Sequence, residues 1–241
     1  MEKTKAQLKK EERILRQIKN EKKKRRSRVM VWSATGLFAV LIAALIVFWP
    51  KPGPMTFDYG SYPTLGSADA KVKLMEFGDF KCPTCKYFSE DIMSKIKTEY
   101  IDTGKVSLSF QNWTIIWDDS YTAALAGLSV FHQNKDEFWK FYDVMYLNQK
   151  PEEKVIWATT DYLVDLAKQA GVNVDYDKLR QDIDQQTYAD ELDGQNAYAR
   201  KHNFTGTPTV ILNGEKLDDD TALSYDNFKK AIDKALQESE S

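Results

Sequence analysis

Phe77-Gly78-Asp79-Phe80-Lys81-Cys82-Pro83-Thr84-Cys85-Lys86-Tyr87-Phe88 contains both cysteines of this 241-residue chain, in a C-x-x-C spacing. The apolar run Leu74 to Phe77 leads into the pair. Beyond it Phe88, Ile92, Ile96 and Tyr100 recur four apart, with Met93 in the same stripe, the pattern of an amphipathic helix. The cysteines therefore sit at a strand-to-helix junction. There the first free backbone N–H groups and the positive end of the helix dipole face a cysteine sulfur and favour its thiolate. Pro83 falls at the first helical position, where its fixed φ suits the helix and its missing N–H costs nothing. Lys81 adds positive charge beside the sulfur.

Three chemistries use such a pair. Half of a zinc site needs two further ligands, but there is no other cysteine, and His132 and His202 lie far apart with no ligand spacing. A structural short-loop disulfide needs neither a proline at the helix start nor a strand-to-helix seat. A redox-active dithiol accounts for position, neighbours and the absence of other cysteines.

Val72, Leu74 and Glu76 alternate with Lys73, Met75 and Phe77 in the strand before the cysteines. Glu76 thus lies in the most apolar strand, where desolvation raises a carboxyl pKa. It reads either as a buried acid that relays a proton to or from Cys85, or as a strand-end glutamate paired with a lysine. Upstream, Met55 to Tyr59 is expected as a short edge strand. Downstream, the helix from Cys82 is expected to reach Thr103, with Gly104 just past its end. Val106, Leu108 and Phe110 then alternate as a second strand, so that strand, helix and strand form one right-handed crossover.

From Asp118 to Lys201 the pattern is helical. Tyr121 to Phe131, Phe138 to Met145, Tyr162 to Ala170 (stopped by Gly171), a segment capped by Asp175 around Leu179 and Ile183, and a last one with Leu192 and Tyr198 give a helical subdomain. Its aromatic residues read as core. Trp113 and Trp117 are read as core before groove lining, and His132 and His202 as ordinary helix-end residues.

Strand character returns at Thr205-Gly206-Thr207-Pro208-Thr209-Val210-Ile211-Leu212, and Asn213-Gly214 signals a hairpin back through Lys216 and Leu217. A proline at the mouth of a strand needs a reason, and a cis Thr207-Pro208 peptide supplies one. Asp218 to Asp220 read as a solvated acidic turn rather than a cation site. Tyr225, Phe228, Ile232 and Leu236 mark a closing helix.

The N-terminal part has a different character. Residues 1–28 hold thirteen Lys or Arg and four Glu, whereas the whole chain carries a formal charge of −2, so the remainder is strongly acidic. Residues 29–48 carry no charge, enough for about 30 Å of helix. We expect a basic cytoplasmic segment (1–28), a transmembrane anchor (29–49), a Pro-rich spacer (50–54) and an extracytoplasmic domain (55–241) with its helical insertion at about 118–201. The length of the basic and apolar stretches and the lack of a small-residue cleavage pattern favour an uncleaved signal-anchor over a signal peptide. In the basic segment Leu8, Ile14, Leu15 and Ile18 give only a short apolar stripe, and its charge is explained by the adjoining membrane span without nucleic-acid binding.

This order of elements, from residue 55 to about 240, resembles the thioredoxin fold in its DsbA-like branch of extracytoplasmic thiol-disulfide oxidoreductases. The membrane-anchored form is similar to the BdbD-type proteins of Gram-positive bacteria. The specific carriers are Phe77 to Cys85 and Gly206-Thr207-Pro208-Thr209. The resemblance implies that Cys82 is the exposed, reactive cysteine and Cys85 its partner. It implies that Thr207 and cis Pro208 form the ledge facing the disulfide, and that Glu76 stands at the place of the family's buried acid. It further implies disulfide formation in reduced, unfolded proteins with no cofactor besides the Cys82–Cys85 pair, and a quinone-linked membrane protein for reoxidation. Pro83-Thr84 stands where strongly oxidising relatives can carry a histidine. The same residues would serve a reductase or isomerase if electrons flowed inward, and a membrane-tethered chaperone could use the fold without turnover.

Overall fold

The computed structural model describes residues 53–240, together with Arg13, Leu15, Arg16, residues 18–26 and eight further residues between Met30 and Ala44. The chain divides into two units, Met1–Gly53 and Pro54–Ser241. In the first, the described residues up to Ala44 are helical. No helix among the described residues is long and apolar enough to cross a membrane, and most of the expected 29–49 span lies outside them.

The second unit is built on β2 (Val72–Gly78), the central strand of a five-stranded sheet. The sheet also contains β1 (Thr64–Leu65), β3 (Val106–Asn112), β4 (Thr209–Leu212) and β5 (Glu215–Lys216), in the order β1-β3-β2-β4-β5. β2 and β3 run parallel, with Glu76 opposite Phe110, and β4 is antiparallel to β2, with Val210 opposite Glu76. A parallel pair needs a crossover, and helix α1 supplies it. α1 starts at Pro83–Tyr87 and continues through a π-helical stretch Phe88–Met93, an α turn Ser94–Ile96 and a second π-helical stretch Lys97–Ile101. It closes two residues before the expected Thr103, but Gly104 takes the left-handed cap conformation as expected (φ 75°) and Lys105 N bonds back to Tyr100 O at 3.0 Å.

Alternation along β2 divides the core. Val72 and Leu74 pack with Phe88, Ile92 and Ile96 of α1 and with Phe228 and Ile232 of the closing helix α8 (Tyr225–Glu240). Met75 and Phe77 face the opposite side with Trp113, Phe204 and Ile211. Between β3 and β4 stand five helices: α2 (Ser120–Gln133), α3 (Phe138–Leu147), α4 (Thr160–Gln169), α5 (Tyr176–Asp184) and α6 (Ala189–Lys201). Gly171 (φ 65°) follows α4, and the Asp175 side chain accepts from the N–H groups of Asp177 and Lys178 to cap α5, both as the sequence predicts. The hairpin turns at Asn213 (φ 48°) and Gly214 (φ 87°), the pair of left-handed residues that a two-residue turn demands.

Two expectations are corrected. Residues 55–59 do not form a strand: Met55 N donates to Gly214 O at 2.8 Å, and a 3-10 turn follows at Tyr59–Ser61. The chain must cross from the β5 edge to the β3 edge in a few residues, and it does so by packing Phe57 and Tyr59 among aromatic rings; the edge strand is β1 instead. The Asp218-Asp219-Asp220 run is not a mere acidic turn, because Asp218 Oδ1 accepts from Thr221 N at 2.7 Å and caps α7 (Asp219–Ala222). Among the described residues no cluster is fit to hold a metal ion.

Candidate active site

The loop from Gly78 to Cys82 joins the end of β2 to α1, and every turn of it is tied down. Cys82 is the N-cap of α1 in extended backbone (φ −77°, ψ 119°), and Pro83 opens the helix. Cys82 N donates to Asp79 O at 2.9 Å. Asp79 Oδ1 accepts from Lys81 N at 2.9 Å, and its Oδ2 accepts from Ile115 N (2.9 Å) and Ile116 N (3.0 Å). Gln149, just past α3, donates to Phe80 O (2.9 Å) and Cys82 O (3.1 Å). The segments after β3 and after α3 thus hold one short loop from two sides.

The two sulfurs meet unlike surroundings. Both thiols are free; Cys85 is 0 % exposed and Cys82 4 %. The Cys82 pKa is lowered to about 6, chiefly by the Cys85 thiol as donor, with burial opposing and the Thr207 side chain and the backbone N–H groups of Cys85 and Thr84 assisting. The protonated thiol donates instead to Thr207 O at 3.2 Å. Burial, and then Cys82, push the Cys85 thiol well above its ordinary range. The Thr207-Pro208 peptide is cis and Pro208 is buried. Cys82 is thus the lower-pKa sulfur but a nearly buried one, because Thr207 covers it.

Glu76 and Lys81 resolve differently. Glu76 is fully buried; Tyr142 on α3 donates to its Oε2 at 2.8 Å, while Oε1 has no partner. No lysine pairs with it. Burial raises its pKa to about 8 against the opposing Tyr142 bond. Lys81 does not lend its charge to the sulfur: its side chain is fully buried, bonded to Asp119 Oδ1 and to Val155 O at 2.9 Å, and lies over the Trp157 ring at 5.7 Å. Asp119 Oδ2 also accepts from Trp157 N (2.8 Å) and Ala158 N (2.9 Å). Burial pushes the Asp119 carboxyl up, but Lys81 and these N–H groups outweigh it and hold the pKa below its ordinary value.

A family model described as thioredoxin matches residues 59–234. The chain belongs to the thioredoxin family. The probable disulfide bond formation protein D of Bacillus cereus is 38% identical over 185 residues, covering 77% of this chain and 83% of the relative. Disulfide bond formation protein D of Bacillus subtilis is 35% identical, covering 73% and 77% respectively. The crystal structure of oxidised BdbD from Bacillus subtilis superposes with a TM-score of 0.72 at 33% identity, over 78% of this chain and 100% of that one. DsbA of Chlamydia trachomatis, at 24% identity and a TM-score of 0.64, shares the fold.

In this thioredoxin-family chain Cys82, Cys85 and Thr207 come together, with Pro208 next to Thr207; Cys82 helps raise the Glu76 pKa, and Glu76 helps raise that of Cys85. Trp113 is core, packed on Phe204, whereas Trp117 is exposed. His132 pairs with Glu191 at 2.6 Å and His202 stacks on Tyr198, both at helix ends as the sequence predicts. Sequence reasoning missed Tyr142, Asp119 and Gln149. Helical spacing marked Tyr142 as core; nothing local marked the other two.

Proposed function

We propose that this chain forms disulfide bonds in reduced, unfolded proteins outside the cytoplasm, working from a membrane anchor. It is an enzyme, a thiol-disulfide oxidoreductase, as the relatives named for disulfide bond formation imply. The observation that carries the direction of the reaction is the asymmetry of the pair, a low-pKa Cys82 at a helix start against a fully buried Cys85. A client thiolate attacks Cys82 of the Cys82–Cys85 disulfide; a client–Cys82 bond forms, and Cys85 leaves with the electron pair. A second client thiolate then attacks the client sulfur of that mixed disulfide, and Cys82 leaves as a stabilised thiolate. The client is oxidised by two electrons and the enzyme is left as a dithiol. A stable leaving thiolate makes the enzyme's disulfide easy to give away.

Thr207 and Pro208 offer an extended backbone edge on which an unfolded client can lie without regard to sequence. Ile115, Trp117, Val155 and Ile156 are exposed apolar residues on the two segments bonded to the active-site loop, a surface suited to unfolded chain. The anchor reading is supported by the composition of residues 1–49 and by the helical, exposed apolar side chains of Met30, Trp32, Phe38 and Val40. The 50–54 spacer joins it to the domain from residue 55. A quinone-linked membrane oxidoreductase is the partner that would accept electrons from the dithiol.

The test is the reduction potential of the Cys82–Cys85 pair in glutathione buffers, read by thiol trapping. A value near the −120 mV of strong disulfide donors is expected, at about −120 mV against roughly −270 mV for a reductase. A value at the reductase end would overturn the direction of electron flow.

A further inference from the structure

A groove of about 510 Å³ opens between α1 and α3, lined by Ser89, Ser94, Lys97, Trp139, Tyr142 and Asp143 among others. It lies on the β1–β3 side of β2, where Leu65 and Leu108 form its floor, whereas Thr207 lies on the β4 side. Tyr142 is its innermost polar residue, and its phenol is the sole hydrogen-bond partner of the buried Glu76 carboxyl. Ser89, also lining the groove, opposes the rise of that phenol's pKa. With Oε2 occupied by the Tyr142 donor, the unpartnered Oε1 is the freer oxygen for giving or taking a proton. Tyr142 thus favours Oε1 as the oxygen that serves the sulfurs.

We propose that Tyr142 is a positioning residue for disulfide exchange, holding Oε2 of Glu76 by its phenol so that Oε1 is the oxygen presented to take and return the proton of Cys85. This rests on the reading of Glu76 as proton acceptor and donor for Cys85. In ring closure with glutathione disulfide as oxidant, the Cys82 thiolate attacks it, forms a Cys82–glutathione bond and releases one glutathione thiolate. Glu76 carboxylate then takes the Cys85 proton, Cys85 attacks Cys82 Sγ, and the second glutathione leaves as thiolate. The proton that Glu76 has taken is released from Oε1 and ends on a departing glutathione thiolate, while Tyr142 keeps its own proton and its bond to Oε2. Opening of the disulfide by a client runs the same path backward.

The groups that face Glu76 are Tyr142 and Tyr146 from α3 and Cys82 and Cys85 from α1, while β3 and β4 present the apolar Phe110 and Val210. Burial and Glu76 hold the Tyr142 phenol well above its ordinary range, so it serves as a donor throughout. The experiment follows ring closure of the reduced full-length protein by glutathione disulfide across pH, alongside the Cys82 thiolate absorbance. Wild type should show a midpoint near the Glu76 pKa of about 8. Tyr142→Phe keeps the ring but removes the donor. It should raise that midpoint by about one pH unit and slow closure about tenfold at neutral pH, because the carboxylate is then scarcer, with the Cys82 titration unmoved. Ser89→Ala should move the midpoint in the same direction by less. An unmoved midpoint in Tyr142→Phe, or in Ser89→Ala should the first variant not fold, overturns the proposal. Glu76→Gln separates the two levels: a wild-type profile there overturns the role of Glu76 itself, whereas a flattened profile beside an unchanged Tyr142→Phe overturns the inference about Tyr142 alone.

Discussion

The active-site loop has two buried charged groups at its ends, and the protein treats them in opposite ways. At the β2 end, Glu76 keeps one bond, from Tyr142, and leaves Oε1 unpartnered. At the α1 end, Lys81 is met by Asp119, Val155 O and the Trp157 ring, and Asp119 is in turn met by two backbone N–H groups. Burial is equal; satisfaction is not. A fully paired buried ion has no freedom to exchange a proton and serves to bind the loop to the helical insertion. A buried carboxyl with an idle oxygen is destabilised as an ion and is suited to proton transfer. Around Cys82, function is marked by the missing partner rather than by the charge.

The largest effect expected from this contrast is structural. Asp119→Ala leaves Lys81 buried without its counter-ion and should cost about 3–5 kcal/mol of unfolding free energy, read from urea denaturation. A loss below about 1 kcal/mol would mean that Lys81 escapes to solvent and that the two ends of the loop are alike. The second effect depends on pH. Glu76 ionises near 4.5 in the unfolded chain and near 8 in the native one, so the native state retains a proton that the unfolded state has lost, and stability falls as pH rises through that window. With the cysteines oxidised, wild type should lose on the order of a few kcal/mol across it, and Glu76→Gln should lack that slope. In the reduced protein Cys82 adds an opposite trend between 9 and about 6, since its native thiol ionises first and stabilises the fold as pH rises. The smallest effect concerns Lys81. In Lys81→Met the Cys82 thiolate titration, followed by ultraviolet absorbance, should stay within about half a unit of its wild-type midpoint. A rise of more than about one unit would restore Lys81 as a tuner of the sulfur.

Much of the fold was legible because it rests on local signals. The strand into Cys82, the helix out of it, the insertion helices with their Asp175 and Gly171 boundaries, and the Asn213-Gly214 hairpin are each written in consecutive residues. The partners of the site were not. Tyr142 reaches Glu76 across 66 positions, Gln149 reaches Cys82 across 67, and Asp119 reaches Lys81 across 38. Periodicity assigns Tyr142 to a buried face but does not say which buried group waits there. Lys81 misleads for a related reason: adjacency in sequence places its backbone beside Cys82, while its side chain follows the loop away into the insertion.

The contact between Met55 and Gly214 has a mechanical meaning. A Cβ on Gly214 would lie 2.4 Å from Met55 O, so the chain can enter this unit snug against the β4–β5 turn only because that position has no side chain. Pro208 precedes β4 and Asn213 follows it, which puts the entry point at the far end of that strand from the sulfurs. Tension arriving through residue 54 would therefore load the hairpin first. The bonds that hold Cys82 would be the last to feel the pull.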